Sequence, residues 1–329
     1  MFAELTPSPI FVVGCPRSGT GLLRDLLRAH PRLTFPPESH FIPAFYRGYG
    51  DPATDREAVQ LARRILGLEW IRHWDLPLGP AAFAADRTFR DILRRLYGAW
   101  ARREGKPRWG DKTPQYVAEV PTLAEIFPEG KVIHIIRDGR DVAMSWIRSG
   151  HDPRNLFTAA HLWKRLVTAG RTDGSAMAPE MYLEVRYESL LGQPEGTMRR
   201  VCEFIGEPFS DMVLQPNPVR PLVRQHLFGR RRPYPVKQTS ILGHNAGKWK
   251  TGMPKPERAL FESVAGGLLG ELGYEREGSG RPIPRPRQMA WRAHHRFFWC
   301  LARLNMKNNL GWLRSELLIR RARRRAPRY

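Results

Sequence analysis

A glycine-bounded turn joins an apolar run to an amphipathic segment near the start of the chain, and this pattern constrains the fold most strongly. The β-branched and aromatic run Ile10–Val13 predicts a buried central strand. The apolar stripe after the turn predicts a helix over Thr20–Ala29. Gly14 and Gly19 have the spacing of a phosphate-binding loop, in which backbone N–H groups and the helix N-terminus face an anion. We therefore expect an α/β fold with an anion site after its first strand.

The same loop lacks two side chains that a nucleoside triphosphate site requires. Thr20 and Gly21 stand where a Lys and then a Ser or Thr would follow. That Lys binds the β- and γ-phosphates, and the hydroxyl binds Mg²⁺. The loop therefore predicts an anionic nucleotide held without metal, with side-chain donors from Arg17, Ser18 and Thr20. For the glycine spacing alone, an ordinary strand-to-helix turn is the alternative.

Strand patterns and helix patterns alternate along most of the chain. Further strands are predicted over Lys131–Ile136 and Met181–Val185. Helices are predicted over Arg56–Leu68, Ala82–Arg103, Asp138–Ser149, Asn155–Ala169, Glu195–Ile205 and Glu257–Leu272, and after Trp109–Lys112 with Thr113 as cap and Pro114 at its start. The alternation predicts a three-layer P-loop-type domain, in which helices flank a central parallel sheet. Residues 44–56 and 215–245 are expected to be irregular.

Positive charge is concentrated at the C-terminal end. The chain has 54 Lys and Arg against 32 Asp and Glu, a net charge of +22. Residues 281–329 hold more than half of that excess with one acidic residue, Glu316. We expect a domain over residues 1–280 and a basic, aromatic-rich helical tail over residues 281–329. The tail could pack on the domain and fray at its end, or residues 289–325 could bind an anionic membrane surface. Nucleic acid is the least favoured partner.

The cysteines and the N-terminus bear on the compartment. Cys15, Cys202 and Cys300 lie far apart and show neither a disulfide pattern nor metal-ligand spacing. Free thiols are typical of a reducing compartment. No secretory signal pattern and no apolar window of membrane-spanning length is present. We therefore expect a cytoplasmic protein that could lie peripherally at a membrane.

A second anion-binding pattern follows the predicted strand Lys131–Ile136. Arg137 lies where that strand ends, and open α/β sheets bind ligands at this edge. Ser145 follows eight residues later, two helical turns on and on about the same helix face. The two side chains could grip one phosphate together. A capped helix with surface ion pairs is the alternative for this segment in isolation.

Together, these segments resemble the sulfotransferases that use 3′-phosphoadenylyl sulfate (PAPS). The loop Pro16–Thr20 matches the family's 5′-phosphosulfate loop, Arg186–Leu190 its Arg-Tyr-Glu-Asp-Leu segment, and Gly247–Trp249 its late Lys-Trp loop. The resemblance extends over about Ile10–Gly273. It implies that the donor contacts Arg17, Ser18, Gly19, Thr20, Gly21, Arg137, Ser145, Tyr187 and Lys248, with Arg137 and Ser145 on the 3′-phosphate.

Within that family the chain looks most like tyrosylprotein sulfotransferases and their bacterial relatives. The run Pro37–Pro43 places Glu38 where the family has its general base. The run Gly110–Pro114 places Lys112 where the family has the Lys that stabilises the transition state. The resemblance implies sulfuryl transfer to a hydroxyl or amine without metal, with Arg17 assisting Lys112 at the leaving group.

Four positions depart from the family pattern. Gly21 replaces a Thr of the phosphate loop, and His40 replaces an Arg beside the Glu. Pro233 stands where a late Ser is expected, a role that only Thr239 or Ser240 could fill. Pro114 excludes the His base of the small-molecule branch.

Other functions stay open on the sequence alone. The acceptor is not indicated, and an acidic one is compatible with Arg230–Arg232 in the irregular segment. A P-loop phosphotransferase is one alternative function. A membrane- or nucleic-acid-binding module with a vestigial nucleotide fold is the other.

Overall fold

The strand predicted before the phosphate loop lies at the centre of a five-stranded parallel sheet. The computed structural model describes residues 8–149, 153–215, 245–278, 283–305 and 310–326. The strands are β1 (Ile10–Gly14), β2 (Leu33–Thr34), β3 (Arg108–Asp111), β4 (Lys131–Ile136) and β5 (Tyr182–Arg186). Their order in the sheet is β2-β3-β1-β4-β5. All pairings are parallel, so the carboxyl ends of the strands meet at one edge of the sheet.

Helices cover both faces of the sheet. They are α1 (Thr20–Ala29), α2 (Ile42–Tyr49), α3 (Asp55–Leu66), α4 (Glu69–Arg72), α5 (Phe89–Arg103), α6 (Val120–Ile126), α7 (Gly139–Ser149), α8 (Leu156–Ser175), α9 (Tyr187–Gly192), α10 (Pro194–Ile205), α11 (Trp249–Gly252), α12 (Lys255–Glu271), α13 (Arg285–Asn305) and α14 (Leu310–Arg325). Short 3-10 turns lie at Pro80–Phe83, Pro114–Ala118 and Asp211–Leu214.

Two apolar clusters pack against opposite faces of β1. Phe11 and Val13 belong to the larger cluster, with residues of α5, α6, α8 and α12. Ile10 and Val12 belong to the other cluster, with residues of α1 and α10. Alternate side chains of one strand enter two cores, and a strand buried on both faces is typical of a three-layer α/β fold. The predicted fold class is therefore confirmed.

Several strands and helices form at or near the bounds that their local sequence patterns predict. β4 and α1 match their predicted bounds, and α7, α10 and α12 begin within two residues of prediction. Asn155 caps α8 through its side chain, which accepts a hydrogen bond from the Thr158 N–H. That helix continues to Ser175, beyond the predicted end, and its buried Gly170 and Gly174 lie close against His134 and Tyr182 of the sheet.

Two local predictions are wrong. The helix predicted over Ala82–Arg103 is divided, because Thr88 and Asp91 form a capping box that starts α5 at Phe89. The segment Trp109–Lys112 does lead into a helical turn that begins at Pro114, and most of it forms β3. Thr113 does not cap the turn at Pro114 through its side chain; its hydroxyl instead accepts a hydrogen bond from the Ser39 N–H at 3.1 Å.

The two segments expected to be irregular differ in outcome. Residues 44–56 are not irregular: they contain most of α2 and the start of α3, which Thr54 caps. Residues 216–244 lie outside the described residues, and with them Pro233, Thr239, Ser240 and Arg230–Arg232.

The C-terminal region contains two helices with different surroundings. α14 packs on α2 and α4, burying Ser315, Ile319 and Ala322. Ser315 Oγ accepts a hydrogen bond from the Glu69 N–H at 2.7 Å. α13 reaches the domain through the Trp291 ring, which stacks on Phe157 with ring centroids 5.3 Å apart. Of the two tail helices, α14 therefore buries side chains against the domain, whereas α13 contacts it through Trp291. The domain division at residue 280 stays a prediction.

No helix in the described ranges is both long and apolar enough to cross a membrane.

Candidate active site

The predicted phosphate loop lies at the carboxyl end of β1. The Ser18 side chain is fully buried, and its hydroxyl has no hydrogen-bond partner among the described residues. Gly19 precedes α1 with φ 99°, and a Cβ there would lie 2.2 Å from the Tyr187 ring. Only glycine meets both demands, so the loop can close against Tyr187.

Arg17 and Ser145 meet across the loop. Arg17 has φ 76°, a left-handed conformation that is uncommon for a residue with a Cβ. Its Nε donates a hydrogen bond to Ser145 Oγ at 3.0 Å, which joins the loop after β1 to α7. Arg17 is exposed, so its remaining N–H groups face the open side of the site. Backbone strain of this kind often occurs at functional sites.

Arg137 is buried at the centre of the same group. Its guanidinium lies over the Tyr187 ring, 4.4 Å from the centroid. Nη2 donates a hydrogen bond to the Asn245 carbonyl at 2.6 Å, whereas Nε is buried with no partner in the described part of the chain. Arg137 Nη1 also lies 3.4 Å from the Arg17 carbonyl. The structure thus brings together Arg17, Ser145, Tyr187 and Arg137, while their contacts with a donor stay a prediction.

Asp141 and Asn245 belong to this group, and sequence reasoning missed both in that role. The buried Asp141 carboxylate accepts hydrogen bonds from the backbone N–H groups of Gly247 and Trp249, both at 2.8 Å. Its Oδ2 lies 3.4 Å from Arg137 Nη2. Asn245 Nδ2 donates a hydrogen bond to the Tyr187 hydroxyl at 2.6 Å. Asp141 therefore holds the late loop against Arg137.

Two of the residues predicted to contact the donor face solvent or open space. Lys248 lies in the loop that Asp141 holds, but its side chain is exposed and makes no hydrogen bond or ion pair with residues that the structure describes. Gly21 faces open space, with no atom within 4 Å of where its Cβ would be. Thr20 is the first residue of α1 and is buried.

Glu38 and Lys112 form a second group, brought together because β2 and β3 are neighbours. Lys112 follows β3, and its side chain is buried. Its Nζ forms an ion pair with Glu38 Oε1. His40 Nε2 lies 3.1 Å from the other oxygen, Glu38 Oε2. Ser39 fixes this arrangement, since its hydroxyl shares a hydrogen bond with the Tyr116 hydroxyl at 2.8 Å.

The electrostatics keep this carboxylate ionised. Burial by itself would raise the pKa of Glu38, but the charges of Lys112 and His40 outweigh burial and hold that pKa below its ordinary value. Burial lowers the pKa of Lys112, and Glu38 opposes part of that change. Nearby, burial raises the pKa of Asp111, whose Oδ2 accepts a hydrogen bond from the Tyr97 hydroxyl at 2.6 Å.

The two groups follow strands on either side of β1. Lys112 comes after β3 and Arg137 after β4, so the loop after β1 lies between them. One edge of the sheet therefore carries a group with two arginines and, beside it, a paired carboxylate and ammonium. Within the described ranges, no cluster of three or more metal-ligating side chains is present. The metal-free reaction stays a prediction.

This fold and site define an α/β enzyme of the sulfotransferase class. The sequence model of the sulfotransferase family matches residues 9–211. The chain therefore belongs to this family, and the resemblance predicted from its motifs is confirmed.

Individual relatives agree with that assignment. The chain is 28% identical to the nodulation protein NoeE of Sinorhizobium fredii over 298 residues, 84% of this chain and 68% of that protein. It is 27% identical to protein-tyrosine sulfotransferase A of Caenorhabditis elegans over 293 residues, 81% of this chain and 67% of that protein. The sulfotransferase domain from the curacin biosynthetic pathway is similar in structure, with a TM-score of 0.55 and 25% identity over 82% of this chain and 99% of that domain.

Proposed function

We propose that this enzyme transfers a sulfuryl group from PAPS to a hydroxyl or amine acceptor. The observation that carries the proposal is the meeting of Arg17, Arg137, Ser145 and Tyr187 around a buried Ser18 hydroxyl. Membership of the sulfotransferase family supports the same reaction. A phosphorylated nucleotide suits this site because its anionic oxygens can bind to two guanidinium groups.

Unsatisfied buried donors support a phosphate ligand. Buried polar groups nearly always have hydrogen-bond partners, yet Ser18 Oγ and Arg137 Nε have none among the residues described. Arg137 Nη2 meanwhile bonds to the Asn245 carbonyl, a neutral acceptor. A phosphate would bind Arg137 more strongly than this carbonyl does, because an anionic oxygen adds charge attraction to the hydrogen bond and the planar guanidinium can bind two phosphate oxygens at once. Ser18, Arg137 and Ser145 would hold the donor's phosphates, and its base would lie near Tyr187, whose ring Arg137 covers.

Glu38 and Lys112 are suited to the two halves of the transfer. PAPS supplies the activated sulfuryl group when it is bound. The acceptor oxygen or nitrogen forms a bond to sulfur while the bond from sulfur to the bridging phosphate oxygen breaks, and the electron pair stays on that oxygen. Glu38 takes the acceptor's proton, a task worth about 10²–10⁴-fold in rate. Lys112 and Arg17 stabilise the negative charge on the leaving oxygen, so this mechanism requires no metal.

The Glu38–Lys112 ion pair links these two tasks. While the pair is intact, Lys112 holds the pKa of Glu38 low and makes it a weak base. As Lys112 turns to the leaving oxygen, the carboxylate loses its nearest positive charge and its pKa rises. Glu38 therefore becomes a stronger base at the stage when the acceptor must lose its proton.

Several classes of acceptor are compatible with this reaction. Similarity to protein-tyrosine sulfotransferases favours a peptide tyrosine, whereas His40 in place of their Arg favours a different acceptor. Carbohydrate, lipid headgroup and small metabolite hydroxyls stay in the set to be tested.

Thermal unfolding with 3′-phosphoadenosine 5′-phosphate (PAP), the desulfated donor, tests the proposal. A ligand at a hundred times its Kd stabilises the fold by about 2.7 kcal/mol, so PAP should raise the melting temperature measurably. Arg137→Ala should remove that shift. Arg199→Ala, which breaks an exposed ion pair with Glu195, should retain it. No shift with millimolar PAP, or a shift with Mg²⁺-ATP only, would contradict the proposal.

A further inference from the structure

Helix α13 presents large apolar side chains to solvent. Met289 is 69% exposed and Phe297 60% exposed. Phe298 and Trp299 are each 38% exposed. Single exposed apolar residues are ordinary, but several on one helix indicate an interaction surface.

The most exposed of these residues lie on one stripe of the helix. An α-helix turns about 100° per residue, so Met289, Ala293 and Phe297 follow one another on a single face. Trp291 lies on the opposite side, stacked on Phe157. The Asn155 side-chain amide also donates a hydrogen bond to the Trp291 carbonyl at 2.9 Å. The stripe therefore faces away from the domain.

Basic side chains flank the stripe without any acidic neighbour on the helix. Arg285, Arg292 and Arg296 share a strip beside Met289 and Phe297, and all three are exposed. The helix contains no Asp or Glu between residues 285 and 305. Its surface thus combines an apolar ridge with positive charge, which complements an anionic surface that has an apolar interior.

We propose that α13 binds in the plane of an anionic lipid bilayer, with Met289 and Phe297 inserted between headgroups. Interfacial helices combine aromatic or aliphatic residues on one face with Arg beside them. A nucleic acid would use the arginines but would leave the methionine and phenylalanine in water. α14 does not share this role, because it buries Ile319 and Ala322 against the domain.

Vesicle co-sedimentation tests the proposal on the full-length protein. Phosphatidylcholine vesicles with phosphatidylglycerol should bind the protein, and pure phosphatidylcholine vesicles should bind it much more weakly. The double variant Met289→Ser/Phe297→Ser should reduce binding by roughly tenfold or more, since two buried apolar side chains are lost. Arg292→Glu/Arg296→Glu should reduce it by at least about fivefold per position at low salt. Met212→Ser, which alters a methionine that is 54% exposed outside α13, should bind as the wild type does.

Several results would overturn the membrane role. Absence of binding to anionic vesicles, equal binding to both vesicle types, or unchanged binding by Met289→Ser/Phe297→Ser would each do so. Binding to duplex DNA without binding to vesicles would assign the surface to nucleic acid instead. Because α13 lies outside the proposed active site, PAP binding by these variants should be unaltered, and a failure here leaves the proposed sulfuryl transfer untouched.

Discussion

The side chains of the candidate site come from segments that lie far apart in the chain. Lys112 and Arg137 each follow a strand within a recognisable motif, so their positions could be predicted. Asp141 also lies in a motif, but its partners Gly247 and Trp249 are more than a hundred residues away. No local pattern shows that contact, so the sequence of this segment by itself favours a surface ion pair for Asp141. Asn245 carries no sequence signal at all.

Replacing Lys112 should separate chemistry from binding. Lys112→Met retains the length of the side chain but removes the charge placed on the leaving oxygen. We expect transfer to fall by about 10²–10³-fold, a loss typical of removing one electrostatic contact from a transition state. PAP affinity, measured by calorimetry, should change by less than about fivefold. An equal loss of PAP affinity and of transfer rate would mean that Lys112 contributes to ground-state binding and not specifically to stabilisation of the transition state.

Glu38→Gln should destabilise the protein in a pH-dependent way. Because the pKa of Glu38 lies below its ordinary value of 4.5, its ionised form stabilises the fold above that pH, and this contribution is lost as the pH falls further. Removing it leaves the buried Lys112 without its partner, a loss of roughly 1–3 kcal/mol near pH 7. Urea unfolding should show a difference from wild type that shrinks below pH 4. A difference that does not vary with pH would contradict this account.

Asp141→Asn should weaken donor binding through the late loop. An amide can accept with one oxygen only, so one of the N–H groups of Gly247 and Trp249 loses its acceptor. The loss of negative charge also leaves Arg137 less firmly held. We expect PAP affinity to fall roughly tenfold, in proportion to a broken hydrogen bond to a charged group. Calorimetry measures this, and unchanged affinity would show that the loop position does not matter.

At the scale of elements, the sequence predicts the strands and helices that have a clear local apolar pattern. It does not predict those that form through contacts with distant segments. β4 and α1 contain enough apolar periodicity to be recognised. β2 has only two residues and exists because it pairs with β3, which no window of sequence reveals. The sequence does not predict α2, because the apolar residues of this helix contact several elements, including α14, and form no single stripe.

The contact between α2 and α14 rests on a glycine. A Cβ at Gly48 would lie 2.3 Å from the Ala322 carbonyl oxygen, so the two helices touch through backbone. Gly48→Ala should lower the free energy of unfolding by about 1–3 kcal/mol, as overpacking does, and should speed tryptic cleavage within α14. Gly79→Ala, where a Cβ would meet no atom within 4 Å, is the matched control. Equal stability of both variants would show that α14 does not dock this way.

For the molecule as a whole, the sequence was enough for family and fold class but not for the acceptor. Four separated motifs meet at one edge of the sheet, and the sulfotransferase family model matches residues 9–211. The acceptor surface depends on side chains gathered from distant segments, for which the chain has no motif. A net charge of +22 favours anionic partners without naming one.

Transfer of radiolabelled sulfate from PAPS tests the central claim most directly. The wild type, Lys112→Met and the control Arg199→Ala would each be incubated with tyrosyl peptides, carbohydrates, lipids and small hydroxyl or amine compounds. We predict that the wild type and Arg199→Ala label one of these classes and release PAP, while Lys112→Met binds PAP but labels that class about 10²–10³-fold more slowly. Equal labelling by Lys112→Met, or no labelling of any class by a wild-type protein that binds PAP, would contradict the account.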